Sequence, residues 1–251
     1  MKKEILLVIT SFFLISLTAI TGVYAIEEKQ KVVTISKQEA DITGDGKVDV
    51  ILLKGIPYQN ETSFLKEIFI EVKASNSKTY TFPLESGSKA ALELVDLNHD
   101  MVKDIFATVL TGGSGGIVAT YLYSLKDFEY SDLSVPDPLE MDAKFLNGYK
   151  AEIKLTQTGK SYLFDLKDRK RYYTKLGLYH NAMLNEPTEL TVNPYNSLTP
   201  VRLKDGRMGL RGVQRVTGIA NADTIAYVES TWFYHNGQWK FISAEVKKEE
   251  V

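Results

Sequence analysis

Apolar and polar residues alternate with period two through most of this chain, and that pattern commits it to β structure. In a strand, successive side chains point to opposite faces, so alternation provides one face for a core and one for water. Ile68, Ile70 and Val72 alternate with Glu67, Phe69, Glu71 and Lys73, and residues 75–78 then turn the chain into a second run at 79–83. Residues 118–125 and 128–133 flank Lys126-Asp127 as another hairpin, and residues 149–155 and 161–166 flank 156–160 as a third. Near the C-terminus, residues 224–234 and 238–246 flank His235-Asn236-Gly237. Asn-Gly suits a type I′ turn because both central residues take positive φ. Helical spacing is confined to residues 167–178, where Gly177 and the tyrosines weaken it. The expected fold class is all-β: antiparallel hairpins in a meander, arranged as part of a propeller-like assembly or as a sandwich.

Two acidic loops lead into predicted strands. The first is Asp41-Ile42-Thr43-Gly44-Asp45-Gly46-Lys47-Val48-Asp49. The second begins 55 residues later, as Asp96-Leu97-Asn98-His99-Asp100-Met101-Val102-Lys103-Asp104. Oxygen side chains recur at every second position, the pattern of a short loop wrapped around a hard cation such as Ca²⁺. Asp41, Thr43, Asp45 and Asp49 supply side-chain oxygens, with the carbonyl of Lys47 as a further ligand. Asp96, Asn98, Asp100 and Asp104 do so in the second loop, with the carbonyl of Val102. Each loop has a defect. Thr43 is a weaker ligand than a carboxylate, and Met101 replaces the turn glycine Gly46, at a cost of about 1 kcal/mol if positive φ is required. Position twelve is Leu52 or Ala107 rather than a bidentate Glu, so these are not EF-hands. Plain turns are the competing reading, since Asp, Asn and Gly favour turns without any ion. Residues 203–207 keep only a turn and one aspartate, Asp205, and are assigned no metal.

Asp-x-x-Gly-Asp-Gly-x-x-Asp followed by an apolar strand resembles the FG-GAP/VCBS repeats of secreted and surface proteins. The resemblance spans residues 40–53 and 94–110. It implies Ca²⁺ in each loop, integrin-type blades, and adhesion or ligand binding rather than catalysis. The chain is short for a full propeller, and nothing after Ser134 repeats the loop.

The N-terminus bounds the compartment. Lys2 and Lys3 precede an apolar run at 5–20, and Val23-Tyr24-Ala25 ends it as a signal peptidase site would. Residues 1–25 are expected to be a cleaved signal peptide, with an uncleaved anchor as the alternative, and no later stretch is apolar enough to span a membrane. The protein is placed outside the cytoplasm, secreted or in the cell envelope. With no cysteine, disulfides and thiol catalysis are excluded. Thirty basic against 32 acidic residues give no basic face for nucleic acid. The basic cluster at 167–175 reads as a solvated turn or strand end. Residues 26–133 form a β region holding both loops, 134–141 with two prolines a connection, and 142–251 a C-terminal β region in the same domain or a second one.

Other candidates are weaker. The glycines at 112–116 precede a strand, whereas phosphate loops need a Lys and a helix start. His99, His180 and His235 lie far apart in sequence, with His99 directed away from the loop's ligand positions. The 14 tyrosines, with Trp232 and Trp239, suit either cross-strand packing or an aromatic platform for sugar or protein. The two tryptophans are expected to face each other across the last hairpin or to pack in its core. The sequence therefore describes a non-enzymatic, calcium-binding β protein, structural or ligand-binding, whose partner is a protein or polysaccharide at the cell surface. A secreted hydrolase with structural calcium and a metal-free envelope component are the alternatives.

Overall fold

A computed structural model describes residues 31–58, 61–113 and 115–248. The expected signal segment 1–25 lies outside the described residues. From Val33 onward the chain forms one compact unit. It is all-β, with antiparallel sheets and, among the described residues, no closed barrel. Strands β1 (Val33–Ala40), β2 (Asp49–Tyr58), β3 (Glu61–Lys73) and β4 (Thr79–Leu84) form the first sheet, a simple meander. Strands β5 (Lys89–Val95), β6 (Asp104–Gly112), β7 (Ile117–Ser124) and β8 (Ser131–Asp132) repeat that order in a second sheet. Strands β9 (Met141–Leu146), β10 (Lys150–Leu155) and β11 (Ser161–Asp165) make a third. The short helix α1 (Lys170–Lys175) and a two-strand pair, β12 (Tyr179–His180) with β13 (Met183–Leu184), follow. A long meander closes the chain: β14 (Thr191–Arg202), β15 (Met208–Thr217), β16 (Thr224–His235) and β17 (Gln238–Lys248). Pro83 and Pro200 lie on the edge strands β4 and β14, where a missing N–H leaves no ladder bond unmade.

The second sheet is a middle layer, and its sequence shows why. Ile105, Ala107, Val109 and Tyr123 share a core with Ile51, Leu53, Ile68, Ile70 and Val72 of the first sheet. Phe106 and Leu122 belong instead to the larger core around Phe145, Tyr195 and Val228. A strand covered on both faces has no water side, so β6 reads as consecutive apolar residues rather than an alternation.

Three expectations need correction. The second predicted hairpin is truncated: its returning strand shrinks to Ser131–Asp132. A 3-10 turn, Lys126–Phe128, intervenes, with Asp127 and Phe128 at φ 55° and 62°. Of the two arrangements expected for the tryptophans, facing each other is corrected and core packing holds: register pairs Trp232 with Phe241 and Trp239 with Tyr234, each as an edge-to-face contact, with Trp232 buried in the larger core and Trp239 packed against it. An irregularity between Thr231 and Trp232 sets that register. The helical spacing at 167–178 yields one 3-10 turn and six helical residues, ended by Gly177 at φ 76°. The type I′ turn stands as expected, with Asn236 at φ 49° and Gly237 at 77°.

Candidate functional site

Strand pairing places the two acidic loops at equivalent corners. The first joins β1 to β2 and the second joins β5 to β6. They adjoin: a Cβ built on Gly44 would meet Val102 Cγ2 at 3.0 Å. Their networks share bonds at equivalent positions, while Thr43 N donates to Asp41 and Asn98 N to Asp104. Asp41 Oδ2 accepts from Gly46 N at 2.8 Å, and Asp96 Oδ2 from Met101 N at 3.1 Å. Asp45 Oδ1 accepts from Lys47 N, and Asp100 Oδ1 from Val102 N, both at 2.9 Å. Asp49 Oδ2 and Asp104 Oδ2 accept from Ile42 N and Leu97 N, again both at 2.9 Å. Gly44 and Gly46 at φ 79° correspond to His99 at 65° and Met101 at 70°. The 55-residue repeat is therefore structural.

Within the first loop, the Thr43 hydroxyl stands 3.4 Å from Asp41 Oδ1, 3.4 Å from Asp45 Oδ1 and 3.3 Å from Asp49 Oδ2. Ser75, in the turn after β3, adds a hydroxyl 2.7 Å from Asp45 Oδ2 and an N–H 2.8 Å from Asp49 Oδ1. Sequence reading missed Ser75; it is brought in only by the β2–β3 pairing. Thr43 and Asp49 are fully buried. Desolvation is the largest influence on Asp41 and pushes it upward, yet the N–H groups of Gly46, Gly44 and Thr43 hold its carboxyl below the ordinary range. The Ser75 hydroxyl and then Lys47 N–H hold Asp45 low.

The second loop differs in what surrounds it. Asp104 is fully buried, and desolvation pushes its carboxyl up to about 7 against the Leu97 and Asn98 N–H groups, with Asp100 and Asp96 adding to the rise. Asn98 Nδ2 donates to Asp100 Oδ2 at 3.2 Å and to Asp104 Oδ1 at 3.3 Å. Lys126 Nζ lies 3.1 Å from the Asp100 carbonyl and 3.5 Å from Asp100 Oδ2. His99 does not point into solvent; its ring stacks on Phe233 at 4.7 Å. Its sequence-distant partner His235 reaches the same Phe233 at 6.2 Å, and Arg207 covers that ring at 3.9 Å.

The donor chemistry of the first loop suits a hard cation. Oxygens bound to one Ca²⁺ at about 2.3–2.6 Å must lie within about 5 Å of each other, and the Thr43 hydroxyl meets that condition with one oxygen each of Asp41, Asp45 and Asp49. Among the described residues, however, no group of three or more carboxylate or imidazole side chains already stands in position to hold a metal ion. The carboxylates are turned onto N–H groups, and both loops are closed as hydrogen-bonded turns.

A polar cluster that sequence reading missed fastens the C-terminal half. Asp223 receives Arg169 Nη1 at 2.6 Å, the Tyr173 hydroxyl at 2.9 Å and Ile219 N at 3.1 Å. The aromatic residues separate into packed groups rather than one platform. Phe82, Tyr121, Tyr123 and Tyr130 form one, and Phe145, Tyr149, Tyr172, Tyr173 and Tyr179 another. The glycine loop is tied down by Asn196, whose Nδ2 donates to the carbonyls of Gly115 and Gly116. No helix among the described residues is long and apolar enough to cross a membrane.

Comparison with known proteins gives the chain its relatives. The family described as YybI C-terminal domain matches residues 139–247, the segment from the end of the connection through β17. Over 215 residues the chain is 27% identical to "Uncharacterized protein YybI" of Bacillus subtilis (strain 168), covering 82% of each chain. No solved structure matches. These findings overturn the resemblance to FG-GAP/VCBS repeats: the family found is a different one, and it lies over the half without acidic loops. The physical reason is that the motif is local. Nine residues rich in Asp and Gly make a tight corner between antiparallel strands in any β protein.

Proposed function

We propose that this chain is a non-catalytic, extracytoplasmic β protein with a structural or ligand-binding role, whose first acidic loop takes up Ca²⁺. The observation that carries this reading is Asp49. It is fully buried, stands beside Asp41 and Asp45, and has no basic side chain in an ion pair among the described residues. The nearest ammonium to the loop is Lys47, 3.9 Å from Asp45 and mostly in solvent. A buried carboxyl without an ion-pair partner is costly to ionise, and a divalent ion held by Asp41, Thr43, Asp45, Asp49 and the Lys47 carbonyl would offset that cost.

Thermal unfolding in EDTA and in 5–10 mM Ca²⁺ tests the reading, at roughly tenfold above the about 10⁻⁴–10⁻³ M affinities of extracellular modules. The expected stabilisation is about 1.4 kcal/mol, on the order of 3–6 °C, lost in Asp45→Ala. A second reading, a metal-free envelope component, is favoured by the closure of both loops on their own N–H groups. It predicts no shift with Ca²⁺.

A further inference from the structure

We propose that Lys126 is the resident counter-cation of the second acidic loop, so that an ammonium group balances this loop where the first is left to a divalent ion. This rests on the calcium reading of the first loop only for the number of ions bound. The two loops share the bonds from Gly46 and Met101 to the first aspartate, from Lys47 and Val102 to the third ligand position, Asp45 or Asp100, and from Ile42 and Leu97 to the last aspartate, and they differ at Thr43 and Asn98 and in what the following hairpin presents. The turn after β3 offers Ser75, a neutral hydroxyl, to Asp45. The turn after β7 offers Lys126, whose Nζ donates to the Asp100 carbonyl at 3.1 Å and lies 3.5 Å from Asp100 Oδ2. A second donor, Asn98 Nδ2, fills the space between Asp100 and Asp104. A divalent ion arriving there meets a like charge a few ångströms away in a half-buried setting, where repulsion is weakly screened.

Lys126 is held in place rather than free on the surface. It opens a turn in which Asp127 and Phe128 both take positive φ, a conformation that such residues keep only when their surroundings impose it. The surroundings here are the first loop and β4. Asp127 N donates to the Thr43 carbonyl at 2.8 Å, and the Tyr80 hydroxyl donates to the Phe128 carbonyl at 3.0 Å. The turn thus grips one loop through its backbone and neutralises the other through its lysine.

Calorimetric titration of the full chain with Ca²⁺ at neutral pH reads the ion count. We expect one ion in wild type, one in Lys126→Arg and two in Lys126→Met, with the added ion lost in Lys126→Met/Asp100→Asn. Two ions in wild type, or no gain in Lys126→Met, overturn the role of the lysine. No ion in wild type but one in Lys126→Met leaves that role standing and removes the calcium reading of the first loop. Should Lys126→Met not fold, Asp100→Asn alone decides. An unchanged ion count supports the lysine as counter-cation, and the loss of one ion shows that the second loop holds metal and overturns it.

Discussion

Met101 carries a side chain where its counterpart Gly46 has none. Its φ is 70° and its side chain is 93% exposed, so it contributes little packing to offset the strained backbone. Met101→Gly is expected to stabilise the protein by about 1 kcal/mol. Urea denaturation checks this: the midpoint should rise with the slope unchanged, and a fall would show that the thioether packs in solution. This strain was legible in the sequence, because aligning Asp41 with Asp96 places Met101 on Gly46. Ser75 and Lys126 were not legible as loop partners. Nothing in their own neighbourhoods marks them, and they arrive 30 and 26 residues away from the aspartates they contact.

At the scale of elements, the turn between β15 and β16 is fastened to α1 by Asp223. Gly218 makes room for it: a Cβ there would lie 2.1 Å from Asp223 Oδ2 and 3.2 Å from Phe145 Cζ. Gly218→Ala should therefore displace Asp223 from Tyr173 and Arg169 and cost on the order of 2–3 kcal/mol. Thermal or urea unfolding reads it, and a loss below about 0.5 kcal/mol would mean the turn adjusts freely. Arg169→Met is expected to be costly too, since it leaves the buried carboxylate with only neutral donors. The hairpins were legible because turn chemistry and alternation act over a few residues. The shortened β8 was not, since Asp127 and Phe128 adopt their backbone through contacts with the first loop and β4.

The whole molecule is stapled by buried tyrosines, and they set its alkaline limit. Burial pushes the Tyr179 and Tyr195 hydroxyls up to about 12. Tyr195 donates to the Asp137 carbonyl, and Tyr179 to the Leu146 carbonyl. An unfolded tyrosine ionises near pH 10. Below that pH the contribution of each is whole; above it the unfolded chain loses protons first, and stability falls as pH rises from about 10 towards 12. The slope is about 1.4 kcal/mol per pH unit for each such tyrosine. Melting temperatures at pH 9, 10 and 11 should drop steeply after 10, and Tyr195→Phe should flatten part of that drop. A profile level to pH 11 would contradict it.

Period-two alternation and turn residues determined, from the sequence alone, that this chain is antiparallel β with hairpins at Ser75, Thr156 and Asn236, and that two acidic corners repeat in register. Those features follow from side-chain direction along a strand and from backbone preferences within a single turn. Only the tertiary structure decided that the second sheet is covered on both faces, that Lys126 serves Asp100, and that Asp223 meets Arg169 and Tyr173 across separations of 54 and 50 residues. Such contacts depend on how sheets stack, and stacking is governed by the summed burial of whole faces rather than by the pattern along any one strand.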